Sequence, residues 1–346
     1  MSEPEIASAN SASTRKSISA RIVELFRFFP RQTSRLVWIV IVLGLLLRLT
    51  VQDRYFPWAL VYYITPIASL PIWILSAGIT GLLGRKSPRN ENTTATNPWI
   101  SSFRLHLILG LIFVAWTIYA DFVYQALPVS SNGIRIAFWN VERGKAGLNR
   151  LATQLKSFQA AAIGLVEANQ SYEVNLEEWK RELPEYEVIR TDFGGLFAVK
   201  GNVLSHRMFH FPPSSYCEQL DVRVDGAEFT VLLVDIASDL KLSRRRPLLE
   251  LATLADQLAD RPLVILGDFN TPDDSVLMTP LQQHHRRAFR ERGSGYAPTW
   301  PMPLPVLTLD QVWVNDLVEV QQCQHFWTND SDHRPIVSDV LFRQSD

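Results

Sequence analysis

The stretch RPLVILGDFNTPDD, residues 261–274, decides how the rest of the chain is read. Leu263 to Leu266 is wholly apolar and too short for a helix, which makes it a strand buried on both faces. It runs without a break into Gly267-Asp268-Phe269-Asn270, so polar side chains stand at the strand's end. Rigid sheets aim functional groups from such places. Just upstream, Arg244 to Leu258 puts Leu248, Leu251, Ala252, Ala255 and Leu258 on one helical face. Farther upstream, Leu220–Val224 and Glu228–Ile236 flank the turn Val224-Asp225-Gly226, a hairpin signal. Ile134–Trp139, Ala161–Val166, Tyr186–Ile189, Gly195–Val199, Val203–Phe211, Gln311–Val314 and Ile336–Phe342 read as further strands. Leu148–Phe158 and Glu173–Leu183 read as helices. Strands joined partly by hairpins and partly by helices predict a mixed-sheet α/β sandwich over residues 129–346.

Polar residues recur at the ends of these strands. Asn140 closes the first, Glu167 the second, Asp268 and Asn270 the apolar one; Asp310 opens the QVWV strand, and Asp332 and His333 precede the last. Carboxylates and carboxamides with one imidazole, and no cysteine cluster, suit a hard oxygen-preferring cation such as Mg²⁺ or Mn²⁺. Such an ion is useful for polarising phosphate esters.

Outward from this domain the composition changes. The chain has 346 residues, 47% hydrophobic and 20% charged, with a net charge of -1. That excludes a disordered tail protein and gives no global basic field for nucleic acid. Almost every long apolar run lies before residue 126. Segments at about 36–52, 56–84 and 105–127 are long enough to predict an all-α three-helix transmembrane anchor. Residues 1–35 form a polar, basic N-terminal segment and 36–128 the transmembrane region. Arg15, Lys16, Arg21, Arg27, Arg31 and Arg35 before the first run, and Arg85, Lys86, Arg89 and Arg104 in the second loop, put the N-terminus in the cytoplasm. Three crossings then make the protein integral and multi-pass, with its catalytic domain extracytoplasmic and the lipid bilayer as a partner. Pro66 and Pro71 leave a second topology open, in which the middle segment crosses twice and the domain moves inside.

Asn140-Val141-Glu142, Glu167 in LVEAN, GDFN at 267–270, Leu309-Asp310 and SDH at 331–333 together resemble the endonuclease/exonuclease/phosphatase superfamily. The resemblance covers about Ile134 to Phe342 in the family's order. It implies hydrolysis of a phosphoester by in-line attack of water, without a covalent intermediate. On this basis Glu167 is the main metal ligand, with Glu142 and Asp332 as further candidates. Asn140 holds a phosphate oxygen or orients Glu167. Asp268 positions or deprotonates the water, and Asn270 orients the phosphate. His333, fixed in one tautomer by Asp310, donates to the phosphoryl oxygens as charge builds.

One position departs from the family's pattern. The strand corresponding to Val231–Ser238 usually ends in a His or Tyr that contacts the phosphate, and that position is read as Ala237. Two readings follow. Arg244, Arg245 and Arg246 just downstream supply the missing positive charge and bind substrate, or the chain is a catalytically impaired module that binds phosphate-bearing ligands or partners. A phospholipid head group, a nucleic acid and a small phosphodiester all remain as substrates. Cys217 and Cys323 are read either as a disulfide or as two buried thiols.

Overall fold

The computed structural model describes residues 28–30, 32–83, 98–119, 133–168 and 176–343, and all that follows concerns these. The chain divides into two compact units, Met1–Thr50 with Thr65–Thr117 and Val51–Ile64 with Ile118–Asp346.

The first unit is helical. Helix α1 spans Phe28–Leu49, the one described helix long and apolar enough by itself to cross a membrane. The middle segment is broken, as its two prolines predict: α2 (Trp58–Ile64) belongs to the second unit, the helical stretch Ile67–Leu83, whose α-helical part is α3 (Leu70–Leu83), to the first, and only together are they long enough to cross a membrane. Helix α4 (Pro98–Ile118) has a shorter apolar core, Leu105–Trp116. The expected third run continues to residue 127, outside the described residues, so three full crossings do not follow from the helices themselves. Ile41, Leu70 and Ile74 pack together with Val37, Trp38, Leu109 and Phe113 around them. Trp38 Nε1 donates to His106 Nε2 at 3.0 Å.

The second unit is the predicted sandwich, in four layers. One sheet has seven strands, β1 (Ile134–Asn140), β2 (Ala162–Val166), β3 (Glu187–Arg190), β4 (Leu196–Val199), β10 (Gly293–Ser294), β12 (Val318–His325) and β13 (Ile336–Phe342), in the order β10-β12-β13-β1-β2-β4-β3. The other holds β5 (Asn202–Phe211), β6 (Ser215–Val224), β7 (Ala227–Asp235), β8 (Leu263–Asp268), β9 (Arg286–Arg287) and β11 (Asp310–Val314), in the order β5-β6-β7-β8-β11-β9. Phe138, Phe197, Leu220, Leu233, Leu266 and Val312 fill the space between the sheets. Gly164 lets them approach closely, since a Cβ there would lie 2.5 Å from Leu266 Cδ1. Helices α5 (Leu148–Phe158) and α6 (Leu176–Glu182) cover the outer face of the first sheet, while α7 (Arg245–Asp256) covers that of the second. The expected start of α6 at Glu173 lies outside the described residues.

Two sequence expectations change. Strand β12 is absent from the reading above because Glu319, Gln321, Gln322 and Gln324 break up its apolar alternation; Gln321 is nevertheless buried and donates to Glu319 Oε1 at 2.8 Å. Strand β7, expected over Glu228–Ile236 and compared with a family strand over Val231–Ser238, ends at Asp235. Of the two readings of the cysteines, the thiols are free: Cys217 packs under α7 and Cys323 between the sheets.

Candidate active site

β1 and β2 run parallel, and β7 and β8 run parallel, so the ends of four neighbouring strands deliver Asn140, Glu167, Asp235 and Asp268 to one edge of the sandwich. Asp310 faces Asp268 directly, as its register partner on the antiparallel β11. The loop 331–333 is tied to the end of β1: the Ser331 hydroxyl donates to the Asn140 carbonyl at 2.7 Å, and Trp139 Nε1 donates to the His333 carbonyl at 2.9 Å.

Asn140 is the joint of the site. Its Nδ2 donates to Glu167 Oε1 at 3.2 Å and to Asp268 Oδ2 at 3.0 Å, while its Oδ1 accepts the Glu142 N–H at 3.0 Å. The same Asp268 oxygen lies 3.8 Å from His333 Nε2. On its other side His333 Nδ1 sits 2.8 Å from Asp310 Oδ2. Asp310 is fully buried, and its N–H donates to the Thr299 hydroxyl at 3.2 Å. Trp300, the next residue, donates from Nε1 to Asp332 Oδ2 at 3.1 Å. The loop Gly295–Trp300 therefore borders the cleft.

The electrostatics follow from this crowding. Burial alone would lower the His333 pKa, but Asp310, Asp268 and Asp332 raise it to about 10. Burial and Asp310 push Asp268 upward, to about 6, against the pull of His333. Glu142, Glu167 and Asn270 all sit at positive φ, 47°, 50° and 46°, a costly backbone for residues with a Cβ. Three such residues around one cleft mark a site that the surrounding sheets hold in place.

The predicted residues divide into groups. Asn140, Glu167, Asp268, Asp310, Asp332 and His333 converge. Asn270 adjoins them, with its side-chain amide donating to the Ile236 carbonyl at 2.8 Å. Glu142 stands at the rim, where its carboxylate is engaged by Lys145 Nζ at 2.6 Å. The arginine run does not gather at the cleft. Arg244 is buried and donates to the carbonyls of Ala237 (3.1 Å) and Ser238 (2.9 Å), and Arg246 pairs with Glu250 one helical turn on. Arg245 is exposed at the start of α7.

Asp235 was missed. It ends β7 in register with Asp268, so the two carboxylates stand side by side on one face. Ala237 lies beyond the strand, its N–H bound to the Ser215 hydroxyl. Asp235 thus adds a carboxyl group beside Asp268, and Ala237 offers no side chain that could contact a phosphate. Burial, then Asp268 and Glu167, raise its pKa well above the ordinary range. The only sequence signal was that Asp235 is the sole charge in an otherwise apolar strand end.

The donor set fits a divalent cation. One ligand atom each from Asp268, Asp310 and His333 lie within 4.8 Å of one another, and Glu167, one-third exposed, reaches the open side of the cleft beside Arg143.

Residues 137–333 match the model of the Endonuclease/Exonuclease/phosphatase family. Solved structures share the fold at low identity. An endonuclease/exonuclease/phosphatase family protein from Bacteroides thetaiotaomicron is similar at 13% identity and a TM-score of 0.54, over 62% of this chain and 100% of that one. A mannosyl-6-phosphatase of the same organism matches at 13% and 0.52, over 60% and 100%. A humanized D. rerio TDP2 matches at 16% and 0.54, over 61% and 100%. A search of curated proteins found no match. With more than half of its length matched to the family model, and with the strand-end carboxylates, Asn140 and the Asp310–His333 pair gathered at one edge, the chain belongs to the endonuclease/exonuclease/phosphatase family.

Proposed function

We propose that the protein is a membrane-anchored, divalent-metal-dependent phosphoester hydrolase. The observation that carries this reading is the bonded sequence Glu167–Asn140–Asp268 facing the Asp310–His333 pair across one cleft. Glu167, with Asp332 and Glu142 as further candidates, would hold Mg²⁺ or Mn²⁺. When bound, the ion offsets the charge of the phosphoryl oxygens and makes the phosphorus more electrophilic. Asp268 accepts a proton from the attacking water, and Asn140 keeps its carboxylate aimed. His333 presents Nε2–H to the phosphoryl oxygens, because Asp310 accepts from Nδ1 and so fixes which nitrogen faces the cleft. Asn270 orients the phosphate once its amide leaves Ile236.

The same proposal includes the anchor: three crossings, an N-terminus in the cytoplasm and an extracytoplasmic catalytic domain. A site tethered to a bilayer favours a phospholipid head group, with nucleic acid as the other phosphodiester source. One similar protein is named as a mannosyl-6-phosphatase, so a phosphomonoester is assayed beside a phosphodiester.

The test uses the full-length protein in detergent with bis-p-nitrophenyl phosphate and p-nitrophenyl phosphate. Mg²⁺ or Mn²⁺ is supplied or removed with EDTA, and His333→Ala runs alongside. Metal-dependent turnover that the variant loses is the expected result. One observation favours a second reading, a phosphate-binding module with impaired chemistry: Ala237 stands where the family pattern puts a donor, and it has none to offer. Metal binding without turnover of either ester would select it.

A further inference from the structure

The loop between the first two apolar segments belongs to the catalytic unit. Asp53, in that loop, is 2% exposed. A carboxylate buried so deeply is stable only where donors satisfy it. Two of its three donors come from the loop that follows the strand end carrying Asp268. The Ser275 hydroxyl donates to Asp53 Oδ2 at 2.5 Å, and the Val276 N–H to Oδ1 at 3.2 Å. Tyr63 of α2 gives the third, at 3.2 Å. Ser275 also caps its own turn by accepting the Leu277 N–H, so its hydroxyl is used in both directions. Beside it the buried Tyr62 phenol donates to the Asp274 carbonyl at 2.8 Å. Arg244, which holds the carbonyls after β7, lies over the Tyr63 ring with its guanidinium carbon 5.6 Å from the centroid. Meanwhile Arg54, Tyr55, Phe56 and Trp58 point outward. Outward aromatics with an arginine are the composition of a membrane–water interface.

We infer that residues 51–64 form a juxtamembrane brace docked on the catalytic domain, and that this loop and the domain therefore lie on the same face of the membrane. The chain leaves that face after α2 and is back on it by Gly133. Between those points it crosses an even number of times. The stretch Ile67–Leu83 and helix α4 then cross together or not at all, and α2 itself does not cross. The alternative topology, in which the middle segment crosses twice and α4 once more, puts Asp53 and Ser275 on opposite faces and is incompatible with their bond. The inference stands whether or not the cleft hydrolyses a phosphoester.

The test uses the full-length protein in its membrane. Asp53→Cys with Ser275→Cys, a protease site inserted among residues 86–96, and a short bis-maleimide report proximity. After proteolysis the two fragments are expected to stay joined in the double variant and to separate in each single variant. Separation in the double variant of a protein that elutes as a folded species overturns the brace. Because removing Asp53 and Ser275 weakens the contact under study, a second measurement leaves both in place. Reporters of sidedness inserted after Gln52 and after Asp346 are expected on one face. Opposite faces overturn the inference irrespective of the cross-link.

Discussion

Two buried histidines in the catalytic unit, His325 and His333, stand at opposite ends of one loop and show what burial does and does not decide. His333 is 6% exposed and His325 7%. His333 is surrounded by Asp310, Asp268 and Asp332, which raise its pKa to about 10. His325 ends β12 against the Phe289 ring, centroids 4.2 Å apart, with Nδ1 donating to the Ala297 carbonyl. There burial, reinforced by Arg334, pushes its pKa down to about 3. The neighbours set the sign, and the carboxylates mark the functional end. His325 and the Arg334 that bonds its carbonyl build the wall behind the cleft.

The comparison breaks first if His333 proves dispensable. His333→Ala is expected to lower kcat by about 10³-fold, the scale of a lost transition-state donor combined with lost acid–base function. Asp310→Asn keeps the shape but offers Nδ1 a poorer acceptor, and should lose about 10²-fold in kcat with KM little changed. Equal activity of either variant and wild type in a steady-state assay would remove the pair from the chemistry.

Asp235 sharpens the comparison, because it adds one more carboxyl group to the carboxylate end, held toward its neutral form by burial and its neighbours. Asp235→Asn cannot ionise, so it is expected to lower KM for a phosphodiester by up to roughly tenfold at high pH, where Asp235 carries its charge. Asp235→His should lower it at least as far. A raised KM in both would mean that Asp235 helps hold a cation.

His325 supplies the pH test. Its folded-state pKa lies below its unfolded value, so the unfolded chain takes up the proton first. The stabilisation from keeping His325 neutral is complete above about pH 6.5 and is lost as pH falls toward 3. At pH 5 the loss amounts to about 2 kcal/mol. Thermal midpoints measured from pH 7.5 to 5 should fall more steeply for wild type than for His325→Gln. Parallel curves would dissociate His325 from acid sensitivity. The smallest effect is expected at Arg246, whose exposed pair with Glu250 is worth about 0.5 kcal/mol or less. Arg246→Ala should leave KM unchanged.

Periodicity exposes a strand when its side chains obey it, which is why β8, β13 and α5 are legible in the sequence to within a residue or two at their ends. It fails at β12, where Gln321 is buried by bonding to Glu319 and the apolar alternation is broken. The convergence of Asn140, Glu167, Asp268 and His333 is legible because each ends or precedes a strand. Asp235 is not, since its facing is set by register with Asp268, a relation between two strands and not a property of either. Asp53 escaped for a similar reason. Beside Arg54 in a short loop it reads as solvated charge, and only its partners far along the chain give it a role.

That distance has a consequence for biosynthesis. Asp53 and Ser275 are separated by 222 residues, so the brace emerges from the ribosome long before the loop it is to hold exists. Until Ser275 arrives, Asp53 and the faces of Tyr62 and Tyr63 stay hydrated. The contact can close only once residues 275 and 276 have been made. A fragment beginning after α4 would complete its sheets yet leave the Ser275 hydroxyl and the Val276 N–H without their acceptor, next to the strand end that carries Asp268. The catalytic unit is thus discontinuous in the chain, and excision at the apparent domain boundary cuts through it.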